Sequence, residues 1–305
     1  MEFLKPGTSI DFAGKMRPAI FISIALILIS LASLIFHKGP NWGVEFTGGT
    51  EIHIKLADTV NVDELKSVLK AFGYPVEAIQ QLGLAGDNEY LLRFSTEVVG
   101  FDKIQDFQST LDRLIAENPQ LQGISVLRVD YIGPKIGKEL VKKAIIAILL
   151  ACVGILIYLM IRFEIGYAMG AVIALIHDTI ITSGAIFITD KEFTLAIVAA
   201  LLTVIGYSVN DTIVIFDRIR ENIKKTKTTD FKQIVNEGIN QTLSRTILTG
   251  VTVFIVLIPL FILGGSVIHD FAFTLIVGVI VGTYSSIFVA SSFVIYWRGR
   301  SKKTS

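Results

Sequence analysis

One cysteine in 305 residues, Cys152, excludes an internal disulfide, and a single thiol makes no metal site, so no metal is expected. Charge is nearly balanced. Lys and Arg total 28 against 27 Asp and Glu, a formal net charge of +1, which argues against an acidic or nucleic-acid partner. A Walker-type GxxxxGK[ST] is missing. Gly14-Lys15 and Gly137-Lys138 lack its context, so neither nucleotide-driven chemistry nor a cofactor is expected. A short signal-peptide core with a small-residue cleavage site is missing too, so the first apolar stretch is expected to be a retained span. What the chain has in excess is apolar surface. It is 52% hydrophobic with a mean hydropathy of +0.63, too oily for a soluble domain of this length and suited to a polytopic membrane protein.

The pattern along the chain predicts one span, one polar domain, then five spans. Residues 1–17 mix Phe3, Leu4, Ile10 and Phe12 with Lys5, Lys15 and Arg17, and are expected to form a tail, amphipathic enough to lie on the membrane surface. Residues 18–36 form the first span, with Pro18 in its first turn. Residues 37–138 alternate strand and helix patterns. Strands are expected at Thr50–Leu56, Ala78–Leu82, Glu89–Ser95 and Gly123–Ile132. One helix is expected between a cap at Asn61 with Glu64 and a stop at Gly73. A second carries Ile104, Phe107, Leu111, Leu114 and Ile115 and ends before Pro119. The order β-α-β-β-α-β is that of an α+β ferredoxin-like domain. Residues 139–297 hold the five-helix body, with spans at about Leu140–Ile161, Ile165–Ile188, Phe193–Phe216, Thr246–Leu263 and Phe271–Trp297, followed by a tail at 298–305.

Lys and Arg crowd the tail before the first span, the loop 217–245 and the residues after Trp297. The positive-inside rule therefore places both termini and that loop in the cytoplasm, and 37–138 outside. The loop's Phe231, Ile234, Val235 and Ile239 recur at helical spacing, which suggests an amphipathic helix at the inner surface.

The polar residues at membrane depth are the functional candidates, because an ionisable group there is costly to keep. Thr203, Gly206, Tyr207, Asn210, Asp211 and Val214 recur at three- and four-residue steps and share one helix face, expected to turn toward other helices. Burial favours the neutral acid at Asp211 and a cation favours the carboxylate. Arg245, opening the fifth span, is the candidate cation, and the pair could act as a switch; the competing account is a static buried ion pair. Tyr207 and Asn210 are expected to orient Asp211 by hydrogen bonding or to glue helices. His177-Asp178 is expected to be an interior hydrogen-bonded pair, with a proton relay as the alternative. Asp217, near the cytoplasmic boundary, is expected to pair with Arg218 or Arg220 or simply to be hydrated, in a minor role. Gly43, Gly48 and Gly49 on one connection to the outer domain, and Gly133 and Gly137 on the other, are candidates for tight turns or for hinges.

Several long motifs stand in one order: IDFAGK at Ile10–Lys15, GVEFTGGT at Gly43–Thr50, IGPKIGKEL at Ile132–Leu140, His177-Asp178, AALLTVIGYSVNDTIVIFDRIREN at Ala199–Asn222, and SRT at Ser244–Thr246. By these the chain resembles the SecD/SecF family, within the resistance-nodulation-division superfamily. Glu45 departs from the family's usual Asp. The resemblance implies half of a twelve-span unit completed by SecD. It implies use of the proton-motive force through Asp211 and Arg245. It also implies an outer domain that meets unfolded preprotein emerging from SecYEG after the step driven by SecA, with YajC and YidC as further partners. Two other functions compete with this one. Half of an ion-coupled exporter of lipid or small molecules would need a larger outer region. An intramembrane aspartyl protease using Asp178 and Asp211 would need a GxGD-type motif, which residues 206–211 do not supply.

Overall fold

The computed structural model describes residues 9–56, 62–71, 73–82, 88–100, 106–107, 109–110, 113, 124–226, 228 and 230–304. Helix α1 (Phe12–Phe36) leads to a single turn, α2 (Val44–Thr47), and then to the domain expected to lie outside: β1 (Gly49–Lys55), α3 (Val62–Ala71), β2 (Ala78–Leu82), β3 (Glu89–Phe94) and β4 (Ser125–Ile132). The body follows: α4 (Pro134–Arg162), α5 (Ile165–Ile188), α6 (Leu195–Lys225), α7 (Phe231–Leu263), α8 (Gly265–Ser285), a π-turn at Ser286–Ala290, and α9 (Ser291–Thr304). Six helical stretches are long and apolar enough to cross a membrane, the last running through α8 and α9.

The outer sheet has the order β2-β3-β1-β4, with every pair antiparallel, as the ferredoxin-like pattern requires. Alternation along β1 sends Ile52 and Ile54 inward, where they pack with Leu65 and Leu69 of α3 and with Tyr90, Leu92 and Phe94 of β3. Gly73 follows α3 at a φ of +88°, a left-handed position suited to a residue without a Cβ. The predicted cap Asn61 and all but five residues of 101–123, where the second predicted helix falls, lie outside the described residues; Asp106, Phe107, Ser109, Thr110 and Arg113 have helical backbone, and Phe107 is buried in the sheet's core.

The membrane body departs from expectation mainly at the ends of its helices. α1 starts at Phe12, not Pro18, because Asp11 caps it by accepting from the Gly14 N–H at 2.7 Å. Phe12 and Met16 are buried in the bundle, so this part of the N-terminal segment is the first turn of a span and not a surface tail. Pro18 consequently lies inside the helix. α6 begins after Phe193, with Thr194 as its cap. α7 begins at Phe231, far ahead of Thr246. The stretch predicted to lie on the inner surface is instead the first turns of the fifth span: Ile234, Val235 and Ile239 are buried against Ile219 of α6 and the rest of that core. Burial against protein replaces burial against lipid headgroups.

Small residues set how closely the helices approach. A Cβ on Gly184 of α5 would collide with Ser30 of α1, and one on Gly278 of α8 would collide with Val204 of α6. At the junction with the outer domain, Gly48 has a φ of +76°, and a Cβ there would lie 2.7 Å from Cα of Pro134. A Cβ on Gly137 would lie 2.5 Å from the Phe46 carbonyl oxygen. α2 is therefore pressed against the first turn of α4, which gives Gly48 and Gly137 a packing reason. Gly137→Val is expected to cost about 1–3 kcal/mol by overpacking. Thermal unfolding of the purified protein checks this, and an unchanged Tm would contradict the contact.

Candidate functional site

Two aspartates are buried in the membrane body, and their surroundings differ. Asp178 of α5 is fully buried and every side-chain oxygen is occupied. Ser208 of α6 and Ser285 of α8 donate to Oδ2 at 2.6 and 2.7 Å, and His177 Nδ1 lies 2.9 Å from Oδ1. The network runs on: His177 Nε2 lies 3.1 Å from Ser23 Oγ of α1, Ser23 Oγ lies 3.3 Å from the Tyr284 hydroxyl, and that hydroxyl donates to the Ala19 carbonyl at 2.5 Å. Four helices are thereby tied at one depth. A buried polar group with all its partners stabilises a unique packing; the same group stripped of them is costly. The π-turn begins directly after Ser285, and the Ser291 hydroxyl caps it by donating to the Ser286 carbonyl at 3.0 Å.

Asp211 of α6 is also buried, 2% exposed, yet its Oδ2 has no hydrogen-bond partner. Arg245 of α7 is near enough for its charge to act on Asp211, but among the described residues the two form no ion pair within 4.0 Å. Arg245 is exposed. The expected hydrogen bonds from Tyr207 and Asn210 to Asp211 do not form. The Tyr207 hydroxyl is buried toward α7, facing Gly250, without a partner, and Asn210 points out of the bundle.

The polar stripe divides: Asp211 and the Tyr207 hydroxyl are buried, whereas its other side faces out. Val204, Ile205, Val209 and Ile215, the oily side of α6, fill the chain's own interior, while Thr203, Gly206 and Asn210 are exposed, as are Arg245 and Thr252 of α7. The interior side is already occupied by α5 and α8, which meet α6 at Ser208 and Gly282. Thr203, Gly206 and Asn210 are left uncovered by the described residues. Asp217 also finds a partner other than the one predicted: Arg162 of α4, at 2.7 Å, while Arg218 binds Glu221 at 2.6 Å. His177 and Asp178 do meet as predicted, and Gly43 and Gly133 cap α2 and α4.

Sequence reasoning missed the partners of these residues. Ser23, Ser208 and Ser285 look like small residues in oily helices, and a hydroxyl there can satisfy itself on the carbonyl one turn back, so no pattern marks them. It also missed Asn236 and Asn240 of α7. Their side chains accept from the Phe12 and Ile10 N–H groups, each at 2.8 Å, and hold the IDF segment in place.

Six spans among the described residues, with one α+β domain inserted after the first, give half of a fold of the resistance-nodulation-division type. The family model described as protein export membrane protein SecD/SecF, C-terminal, matches residues 115–300, and the SecD/SecF GG motif matches residues 33–60. The chain belongs to the SecD/SecF family. It is 44% identical over 306 residues to the protein translocase subunit SecF of Calditerrivibrio nitroreducens, covering 96% of each chain. It is 46% identical to the SecF of Magnetococcus marinus, covering 97% of this chain and 94% of that one. The crystal structure of SecDF from Thermus thermophilus, described as a translocon-associated membrane protein, superposes with a TM-score of 0.85 at 35% identity. The match covers 97% of this chain and 40% of that longer one.

Proposed function

We propose that the protein is the SecF-type subunit of a protein-export apparatus, and that ion movement through Asp211, with Arg245 as its counter-charge, drives the step it assists. Asp211 carries this proposal: it is nearly fully buried, one of its oxygens has no partner, and a cation stands close by without pairing. Such an acid can take and give up a proton without dismantling a network, as Asp178 cannot. Occupancy of both Asp178 oxygens by Ser208, Ser285 and His177 also speaks against a protease dyad, in which two carboxylates must share a site.

The outward side of the stripe, with Arg245, calls for a second bundle, since an arginine and an asparagine facing lipid at that depth are costly. SecD is the partner we assign to it, in line with the longer SecDF chain of Thermus thermophilus. In this scheme both termini are cytoplasmic and the domain 37–138 lies outside. That domain works on unfolded preprotein leaving SecYEG after the step powered by SecA, with YajC and YidC as accessory partners. Export into inverted vesicles containing the SecD pair tests the scheme. Collapsing the gradient of the coupling ion, with ΔpH, Δψ and the sodium gradient dissipated one at a time, is expected to remove the stimulation. Stimulation that survives loss of all three would refute ion coupling.

A further inference from the structure

The turn between α5 and α6, which leads directly into the Asp211 helix, holds three other elements with three consecutive residues. Lys191 Nζ reaches Asp270 of α8 at 2.5 Å. Glu192 pairs with Arg93 of β3. Phe193 donates its N–H to the Asn41 carbonyl at 2.7 Å and accepts from the Gly43 N–H at 3.0 Å, with the Trp42 ring 5.5 Å away, edge-on. The outer sheet therefore meets the membrane body through Arg93, whose side chain is 8% exposed.

Arg93 is shared and incompletely satisfied. Its guanidinium donates to the Trp42 carbonyl at 3.1 Å and to Glu51 Oε1 at 3.3 Å as well as to Glu192, while Nε is buried with no partner. Two carboxylates thus compete for one cation, with Glu45 adding a third negative charge nearby. Like charges in one buried site cannot all ionise cheaply.

We propose that Glu51, Arg93 and Glu192 form a proton-sensitive latch holding the outer sheet on the turn that opens the Asp211 helix, closed while Glu51 is neutral and weakened when it ionises. Burial pushes Glu51 up to about 7 from 4.5, with Glu192 and Glu45 acting in the same direction and Arg93 against them. Burial raises Glu192 too, opposed by Arg93 and assisted by Glu45 and Asp270. The other charges near the site are already committed: Asp130, opposite Glu51 on β4, pairs with Arg128, and Asp270 pairs with Lys191. The sign follows from linkage. The docked state holds the Glu51 proton more tightly than a separated, solvated Glu51 would, so docking is favoured below 4.5 and loses stability as pH rises through about 7. An acidic exterior closes the latch. Its use in export rests on the ion-coupling proposal; its chemistry does not.

Hydrogen exchange at the Gly43 and Phe193 amides reports docking, because both are bonded across the junction. The experiment uses the full chain in nanodiscs, with rates corrected for the intrinsic pH dependence of exchange. Wild-type protection is expected to fall about tenfold or more between about pH 5.5 and about pH 8.5. Glu51→Gln is expected to hold full protection at both values, and Arg93→Gln to lack it at both. Asp211→Asn is expected to keep the wild-type pH response, so failure of ion coupling and failure of the latch are read separately. Protection in the wild type that does not change with pH, or a Glu51→Gln response equal to wild type, overturns the latch. So does full protection in Arg93→Gln.

Discussion

Asp211→Asn is expected to abolish gradient-driven stimulation of export and to leave the fold intact. The amide has the size of the acid and cannot exchange a proton. Because Asp211 Oδ2 accepts no hydrogen bond, the substitution removes no contact at that atom. It also removes a buried charge, whose desolvation is unfavourable to begin with. One proton crossing about 100 mV supplies roughly 2.3 kcal/mol, enough to shift a two-state equilibrium about 50-fold if fully coupled. Export by the variant is therefore expected to fall to the level seen without a gradient, while its Tm and co-purification with SecD match wild type. Stimulated export at the wild-type rate would reject the assignment.

Asp178→Ala has the opposite profile. Ser208, Ser285 and His177 lose their common acceptor, and the tie between α1, α5, α6 and α8 is broken. Removing one member of a buried, fully paired network leaves the others desolvated and unsatisfied, at a cost of about 3–5 kcal/mol. The expected outcome is a large fall in folded yield and in Tm, with any loss of export following from lost protein. Asp178→Asn, which keeps one acceptor oxygen, should recover part of that stability. An Asp178→Ala protein as stable as wild type would show that the hydroxyls find other partners. The two aspartates thus separate in one comparison: the neutral replacement of Asp211 spares stability and removes coupling, while truncation of Asp178 removes stability first.

Much of the layout was legible because it follows from local rules. Apolar runs fixed six spans, alternation fixed Ile52 and Ile54 as core residues, and the β-α-β-β-α-β order fixed the sheet order found. Helix ends were less legible. A hydropathy pattern follows lipid, whereas α1 and α7 run on past their apolar stretches, where Asp11, Asn236 and Asn240 hold them by hydrogen bonds. Asp211 could be found from depth alone. Which way its helix turned could not, because oily and polar faces are both plausible interiors when a second bundle is present. Small residues at Ser208, Gly278 and Gly282 decide it by letting α8 approach the oily side. Glycines mark the junction in the sequence, whereas its charges carry no local signal. Arg93 and Glu192 are 99 residues apart in the chain, so no local pattern joins them.

The most direct measurement is infrared difference spectroscopy on the complex with SecD in sealed vesicles, comparing spectra with the ion gradient on and off. A protonated carboxyl band that changes with the gradient, persists in Glu51→Gln and disappears in Asp211→Asn is the predicted result. A gradient-dependent carboxyl band of unchanged size in Asp211→Asn would contradict the claim that this acid is the one the gradient charges and discharges.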